Sequence, residues 1–197
     1  MSHEKEQMKI GLTGGIGSGK TFVGTVFTKL EIPVFNADYE ATRCMSENVL
    51  LKQEIQDMFG DNVYKNGLLQ NKVLADIVFN NHQKLEELNK LVHPVVKKSF
   101  KDWCTDQTSE IIIKEAAILF ESDSHLDLDK VICVSAPEEI RIERVIKRDN
   151  TSREQVFRRI EQQMPQNEKE KLSDFVILND GEALVLPQII KIISQIS

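Results

Sequence analysis

The sequence predicts an α/β fold, a five-stranded parallel sheet layered between helices, with a helical subdomain inserted after the second strand. Three observations carry that reading. Short apolar runs alternate with stretches of helical periodicity, the pattern of a sheet buried on both faces. The segment Gly14-Gly15-Ile16-Gly17-Ser18-Gly19-Lys20-Thr21 matches GxxxxGK[ST] and lies between an apolar run and a helical stretch. Residues 39–108 keep helical periodicity with no convincing strand, far beyond the few residues that ordinarily connect a strand to a helix.

Taken in order, Met8 to Thr13 reads as a buried strand and Lys20 to Leu30 as the helix behind it. Ile32 to Asn36, opened by Pro33, reads as a second short strand, completing a βαβ unit. In the insertion, Leu85, Leu88, Leu91 and Val92 form one helical stripe. Val95, Val96, Phe100 and Trp103 form another after His93-Pro94, where proline is expected to break the pattern. Strands follow at Glu110 to Lys114, Lys130 to Ser135 and Asp174 to Leu178. Pro137 to Asn150 begins as a helix should, with proline and glutamates in its first turn. Thr151 to Glu154 has the T-x-x-E spacing of a capping box, opening a helix that Pro165 ends. Asn179-Asp180-Gly181 reads as a turn. The expected division is a nucleotide-binding core of residues 1–38 and 109–197, with a lid near 138–171, and an insertion of residues 39–108.

Composition narrows the function. The 197-residue chain is 41% hydrophobic with a net charge of −6, ordinary for one globular core and wrong for a broad nucleic-acid surface, which needs clustered cations. Cys44, Cys104 and Cys133 are odd in number and lack CxxC spacing, so neither a disulfide framework nor a zinc site is expected. Met1 to Gln7 is polar and too short for a signal peptide, and no apolar run approaches the roughly 20 residues of a membrane span. A cytoplasmic protein without a nucleic-acid, membrane or obligate protein partner is the expectation.

The glycine-rich segment has a mechanism. Its glycines let consecutive N–H groups approach phosphate oxygens, and the helix N-terminus behind it adds partial positive charge. Lys20 supplies a point charge for the β- and γ-phosphates of ATP, and the Thr21 hydroxyl is a ligand for Mg²⁺. Asp38 follows the second strand in Asn36-Ala37-Asp38, at the end of a parallel strand where open α/β sheets bind ligands. Position leaves two roles open, a base for an acceptor hydroxyl or an N-cap for a helix beginning near Tyr39. Arg141, Arg144 and Arg148 share a helix face suited to clamping a triphosphate, although Glu139, Glu143 and Asp149 can pair with them on a solvated face. Cation-rich helices from Arg141 to Lys171 suit a lid, with Lys169 and Lys171 readable as solvated. Glu115 and Glu121 are each able to hold a magnesium water or serve structure.

Several separated motifs converge: the phosphate loop, Asn36-Ala37-Asp38, Leu91-Val92-His93-Pro94, Ile118-Leu119-Phe120-Glu121, Arg144 to Arg148, Gln163-Met164-Pro165, and Asp174 to Gly181. Together they resemble the dephospho-coenzyme A kinase family, a branch of the P-loop kinases, over nearly the whole chain from Met8. The resemblance implies phosphorylation of the ribose 3′-hydroxyl of dephospho-coenzyme A from Mg·ATP, the last step of coenzyme A synthesis. It implies an ATP site of Gly15, Ile16, Gly17, Ser18, Gly19, Lys20, Thr21 and Phe22 with Arg144, Arg148 and Asn179, the last near adenine. It makes Asp38 the base, with Lys20 and Arg144 beside it in catalysis, and gives residues 39–108 the acceptor, with Arg43 and His93 on that side. Thr42 stands where many members carry arginine or histidine, so either Thr42 or Arg43 can be the residue that reaches the acceptor. Lys114-Glu115-Ala116-Ala117 lacks the proline common before the Leu-Leu-Phe-Glu segment.

Two other readings share parts of this pattern. A nucleoside monophosphate or small-metabolite kinase would share sheet and lid, but a phosphate-bearing acceptor favours an arginine cluster, and residues 39–108 contain only Arg43. A GTPase-type switch needs NKxD. Asn71-Lys72-Val73-Leu74 and Asn89-Lys90-Leu91-Val92 lack its aspartate, and Asp57-Met58-Phe59-Gly60 matches DxxG only inside an amphipathic stretch.

Overall fold

A computed structural model describes residues 7–78 and 81–196. The polar stretch 1–6 lies outside the described residues. The chain divides into two compact units, Met1–Asn36 with Gln107–Ser197, and Ala37–Asp106. In chain order the elements begin β1 (Met8–Thr13), α1 (Lys20–Lys29), β2 (Val34–Asn36), α2 (Ala37–Glu47), α3 (Val49–Phe59), β3 (Tyr64–Lys65), β4 (Leu68–Leu69), α4 (Asn71–Val78) and α5 (His82–Thr105). They continue β5 (Ile111–Glu115), β6 (Lys130–Ser135), α6 (Glu138–Asp149), α7 (Arg153–Glu161), α8 (Gln166–Leu172), β7 (Phe175–Leu178) and α9 (Val185–Ile196).

The first unit is built on the expected five-stranded sheet, in the order β2-β5-β1-β6-β7, with every pair parallel. Its strands read as continuous apolar runs because both faces are covered, and Val131 to Val134 are all buried. One cluster joins Ile10, Leu12, Ile113, Ile132 and Ile177 to Val23 and Phe27 of α1 and to Ile189 and Ile192 of α9. Burying each such side chain is worth about 1.5–3 kcal/mol, so this cluster anchors the sheet whose carboxyl ends carry the site. A second cluster holds α6 to α7 through Ile142, Val145 and Val156, with Ile16 of the phosphate loop packed against it. β2 starts at Val34, not Ile32, because Pro33 has no N–H for the ladder; its carbonyl accepts from Ile113 N–H at 2.9 Å. The helix after Asn150 is capped by Ser152, whose hydroxyl accepts from Gln155 N–H at 3.3 Å, one residue later than the T-x-x-E spacing predicts.

The second unit is helical, as expected, with two corrections. Tyr64–Lys65 pairs antiparallel with Leu68–Leu69, and both turn residues, Asn66 and Gly67, have positive φ (52° and 75°). Asn-Gly is the strongest short hairpin signal, but strands of two residues leave no alternation to read. Second, α5 runs for 24 residues straight through Pro94, where an interruption was expected. Leu88, Val92, Val96 and Phe100 are all buried at four-residue spacing across the proline. Their packing outweighs the roughly 3 kcal/mol that an interior proline costs a helix.

Candidate active site

The site is built where β1 ends. Its last residue, Thr13, feeds the phosphate loop, and Gly19 in the left-handed region (φ 94°) caps α1, so Lys20 is its first helical residue. The first helical hydrogen bond runs from Val23 N–H to the Gly19 carbonyl at 3.1 Å. The amides of Lys20, Thr21 and Phe22 therefore precede the helical ladder, the arrangement that makes a helix N-terminus an anion site. Gly17 is obligatory: its φ is 80°, and an added Cβ would lie 2.3 Å from the Arg141 carbonyl oxygen.

Asn179, at the end of β7, is woven into this loop. Its N–H donates to Ser135 O at 2.7 Å, and its side-chain Nδ2 donates to Ser18 O at 2.8 Å. Arg144 Nη1 in turn donates to Asn179 O at 2.9 Å. The expected site residues Arg144, Asn179 and the loop thus form one hydrogen-bonded chain linking α6, the residue after β7, the end of β6 and Ser18 of the phosphate loop. The Asn179 amide nitrogen is spent on the loop carbonyl.

The three arginines of α6 part company. Arg141 is only 4% exposed, its Nη2 lies 3.5 Å from Glu138, and its Nε is buried with no hydrogen bond. Burial pushes its pKa below the usual arginine value, yet a guanidinium keeps its proton. Arg148 lies on the exposed side and forks onto Asp149 at 2.7 and 3.0 Å, while Arg159 reaches the same carboxylate at 2.7 Å. Hydrogen bonding from Arg148 holds the Asp149 carboxyl down at about 2.

Glu115 is the residue that sequence reasoning left undecided and the structure brings to the loop. It is 3% exposed at the end of β5, where Thr21 Oγ1 donates to Oε1 at 2.7 Å and Asn36 Nδ2 to Oε2 at 3.2 Å. A hydroxyl and a carboxylate side by side are hard oxygen donors suited to Mg²⁺, which takes few protein ligands and keeps phosphate oxygens and waters for the rest. No group of three or more His, Cys, Asp or Glu able to hold a metal occurs among the described residues. Glu121 serves the structure instead, accepting from Met164 N–H at 2.8 Å and pairing with Lys169 Nζ at 2.8 Å. Lys169, read from sequence as solvated, is fully buried and also donates to Ala117 O at 2.6 Å. Lys171 is the exposed one, paired with Glu168.

A cavity of about 700 Å³ opens beside the loop, lined among others by Gly15, Ser135, Arg141, Gln163, Gln166 and Glu170. Glutamines from the α7 to α8 connection and from the first position of α8 reach the loop itself: Gln163 Oε1 accepts from Ile16 N–H and Gln166 Oε1 from Gly15 N–H, each at 2.8 Å. These contacts span about 150 residues of chain, so no local pattern signals them.

In the helical unit, Asp38 is the second residue of α2, inside the first turn. The helix begins at Ala37, so the N-cap role does not fall to Asp38. β2 is parallel to the rest of the sheet, so Asn36 ends at the same edge as β1, and Asp38 comes two residues later in the chain. Arg43 spends its fork on Glu40 (2.8 and 2.7 Å) and its remaining nitrogen on Glu47 (2.9 Å), while Thr42 Oγ1 donates to Asp38 O at 3.2 Å. The Arg43 hydrogen bonds, opposed by burial and helped by Ser99, hold the Glu40 carboxyl down at about 2. His93 is half-buried on α5, one residue before Pro94.

The family model described as dephospho-CoA kinase matches residues 8–184. A dephospho-CoA kinase of Bacteroides fragilis strain YCH46 is 38% identical over 188 residues, covering 95% of this chain and 92% of that protein. Among solved structures, TT1252 of Thermus thermophilus superposes with a TM-score of 0.87 at 30% identity, covering 98% of this chain and 99% of the other. The dephospho-CoA kinase of Campylobacter jejuni gives a TM-score of 0.69 at 28% identity, with 96% of each chain covered.

Proposed function

The chain belongs to the dephospho-CoA kinase family, and from that premise we propose the residues that carry the reaction. The activity is ATP-dependent phosphorylation of dephospho-coenzyme A, with ATP and dephospho-coenzyme A as small-molecule substrates. The proposal adds the acceptor atom, the ribose 3′-hydroxyl, with Asp38 as the base that takes its proton as the oxygen attacks the γ-phosphorus. The leaving group is ADP.

The observation that carries this reading is the phosphate loop with its partners. The amides opening α1 and the Lys20 ammonium offset charge on the transferring phosphoryl group, a stabilisation commonly worth about 3–4 kcal/mol per positioned donor in the transition state. Mg²⁺, when bound, supplies charge neutralisation between β- and γ-phosphates. Thr21 Oγ1 would be its protein ligand, and the Glu115 carboxylate, which accepts from that hydroxyl at 2.7 Å, would orient it. Arg144, tied to Asn179, faces the nucleotide from the arginine helices near 138–171, which act as the lid. Residues 39–108 take the acceptor, with His93 and either Thr42 or Arg43 contacting it. Among described residues no helix is long and apolar enough to cross a membrane. Cys44, Cys104 and Cys133 are thiols rather than disulfides, which supports a reducing, cytoplasmic setting.

Asp38→Asn tests the assignment, because asparagine keeps the shape and removes the base. Turnover at saturating ATP and acceptor should fall roughly 10²- to 10⁴-fold, with melting temperature and ATP binding little changed. Unaltered kcat would remove Asp38 from the chemistry.

A further inference from the structure

The first limb of the phosphate loop is gripped by two glutamines that follow α7, within the 138–171 segment. Gly15 N–H donates to Gln166 Oε1 and Ile16 N–H to Gln163 Oε1, both at 2.8 Å. These two amides are thereby satisfied by protein, and the helix N-terminus that suits a phosphate lies at the start of α1. Gln166 is itself oriented from its other end. Its Nε2 donates to Glu170 Oε1 at 2.9 Å and to Val134 O at 3.3 Å, and it lies 3.3 Å from Cys133 Sγ. Glu170 is fixed in turn by the Ser135 hydroxyl at 2.6 Å. With Nε2 held among acceptors, the Gln166 carbonyl has to face the loop.

Independent contacts grip the same limb. The Ile16 side chain packs into the cluster of Ile142, Val145 and Val156 that joins α6 to α7. The Arg141 carbonyl fills the space where Gly17 would carry a Cβ. The Met164 amide, between the two glutamines, is anchored to Glu121, which also holds the buried Lys169. Backbone and side chain of Gly15-Ile16 are therefore held by α6, α7, the link after it and the first residue of α8, in addition to the loop's own turn, in which Ser18 N–H donates to Gly15 O at 3.1 Å.

We propose that Gln163 and Gln166 are positioning residues for phosphoryl transfer. Their carbonyl oxygens fix the first limb of the phosphate loop, so that the amides at its second limb meet the phosphates without rearrangement. Preorganised donors stabilise a transition state because nothing has to reorganise during the reaction, and a misplacement of about 1 Å is enough to cost two orders of magnitude in rate. The role rests on the kinase reading of this site.

The test uses Gln163→Met and Gln166→Met, which keep length and lose the acceptor. Amide hydrogen exchange in the nucleotide-free protein should accelerate about tenfold at Ile16 and at Gly15 respectively, the effect of losing one hydrogen bond of ordinary strength. kcat with Mg·ATP and dephospho-coenzyme A should fall about tenfold or more, while KM for dephospho-coenzyme A stays within about twofold. Gln163→Glu retains an oxygen at the same reach and should restore slow exchange at Ile16. Unchanged exchange in both methionine variants would overturn the proposal. So would faster exchange with wild-type kcat, because the glutamines would then serve packing alone. A wild-type protein that phosphorylates no dephospho-coenzyme A would overturn the kinase reading instead, and the exchange rates would still report separately on the grip.

Discussion

Gly17→Ala isolates what the phosphate loop demands of its backbone, and Gly67→Ala is its internal control. Both glycines have positive φ, 80° and 75°, so an alanine at either position carries the same left-handed penalty of about 1–2 kcal/mol. Alanine also restricts the unfolded chain, which returns about 0.4–1 kcal/mol, so the conformational loss alone is about 1 kcal/mol. The two sites then differ in space. Nothing lies within 4 Å of a Cβ at Gly67, whereas a Cβ at Gly17 would meet the Arg141 carbonyl oxygen at 2.3 Å and its carbonyl carbon at 2.8 Å. Both are backbone atoms of α6 and cannot swing aside, so the loop must shift by about 1 Å, at a further cost of about 1–3 kcal/mol. Gly17→Ala should therefore lose about 2–4 kcal/mol and Gly67→Ala about 1 kcal/mol. In a chain of this size that is a melting-temperature drop of about 10 °C against about 3 °C. Displacement of the loop should lower kcat/KM for ATP about 100-fold in Gly17→Ala and leave Gly67→Ala at the wild-type value. Equal melting temperatures for the two variants, with full activity in Gly17→Ala, would refute the reasoning from close approach.

Two further perturbations concern buried charge. Lys169→Met strands the Glu121 carboxylate, which is 22% exposed and retains only the Met164 amide among these partners; the variant should lose about 2–4 kcal/mol, and adding Glu121→Gln should restore part of it in a denaturant titration. Glu40 has a folded-state pKa lowered to about 2 from 4.5, so its contribution is fully present above pH 4.5 and is lost as pH falls from there toward 2. Acid titration of melting temperature should thus be steeper for wild type than for Glu40→Gln across that window, and parallel curves would remove Glu40 from the acid sensitivity of the helical unit.

The sheet was legible because its signals are local. A strand buried on both faces is a continuous apolar run, as in Ile111-Ile112-Ile113, and the glycine-lysine-threonine loop announces its own geometry. Arg144 and Asn179, expected beside the loop from motif and order along the chain, are hydrogen-bonded to each other and to Ser18 of the loop. What escaped was set by contacts distant in sequence. Pro94 reads as a break until the packing of Leu88, Val92, Val96 and Phe100 is known to continue across it. Lys169 reads as a surface lysine until Glu121 and the Ala117 carbonyl are placed around it. Arg141, Arg144 and Arg148 share one face in projection, yet one is buried beneath the loop, one is tied to Asn179 and one is paired with Asp149. Spacing along a helix gives direction, and the neighbour that meets each side chain belongs to another element.

The most direct test is to incubate the protein with Mg·ATP and a panel of dephospho-coenzyme A, adenosine, nucleoside monophosphates and pantothenate derivatives. Products are then identified by mass, and the phosphorylated position by phosphorus–proton coupling. The expected result is a single phosphoryl group on the ribose 3′-oxygen of dephospho-coenzyme A, with the other acceptors left unmodified. Phosphorylation of a different panel member with dephospho-coenzyme A untouched, or a product carrying the group on the 2′-oxygen, would contradict it.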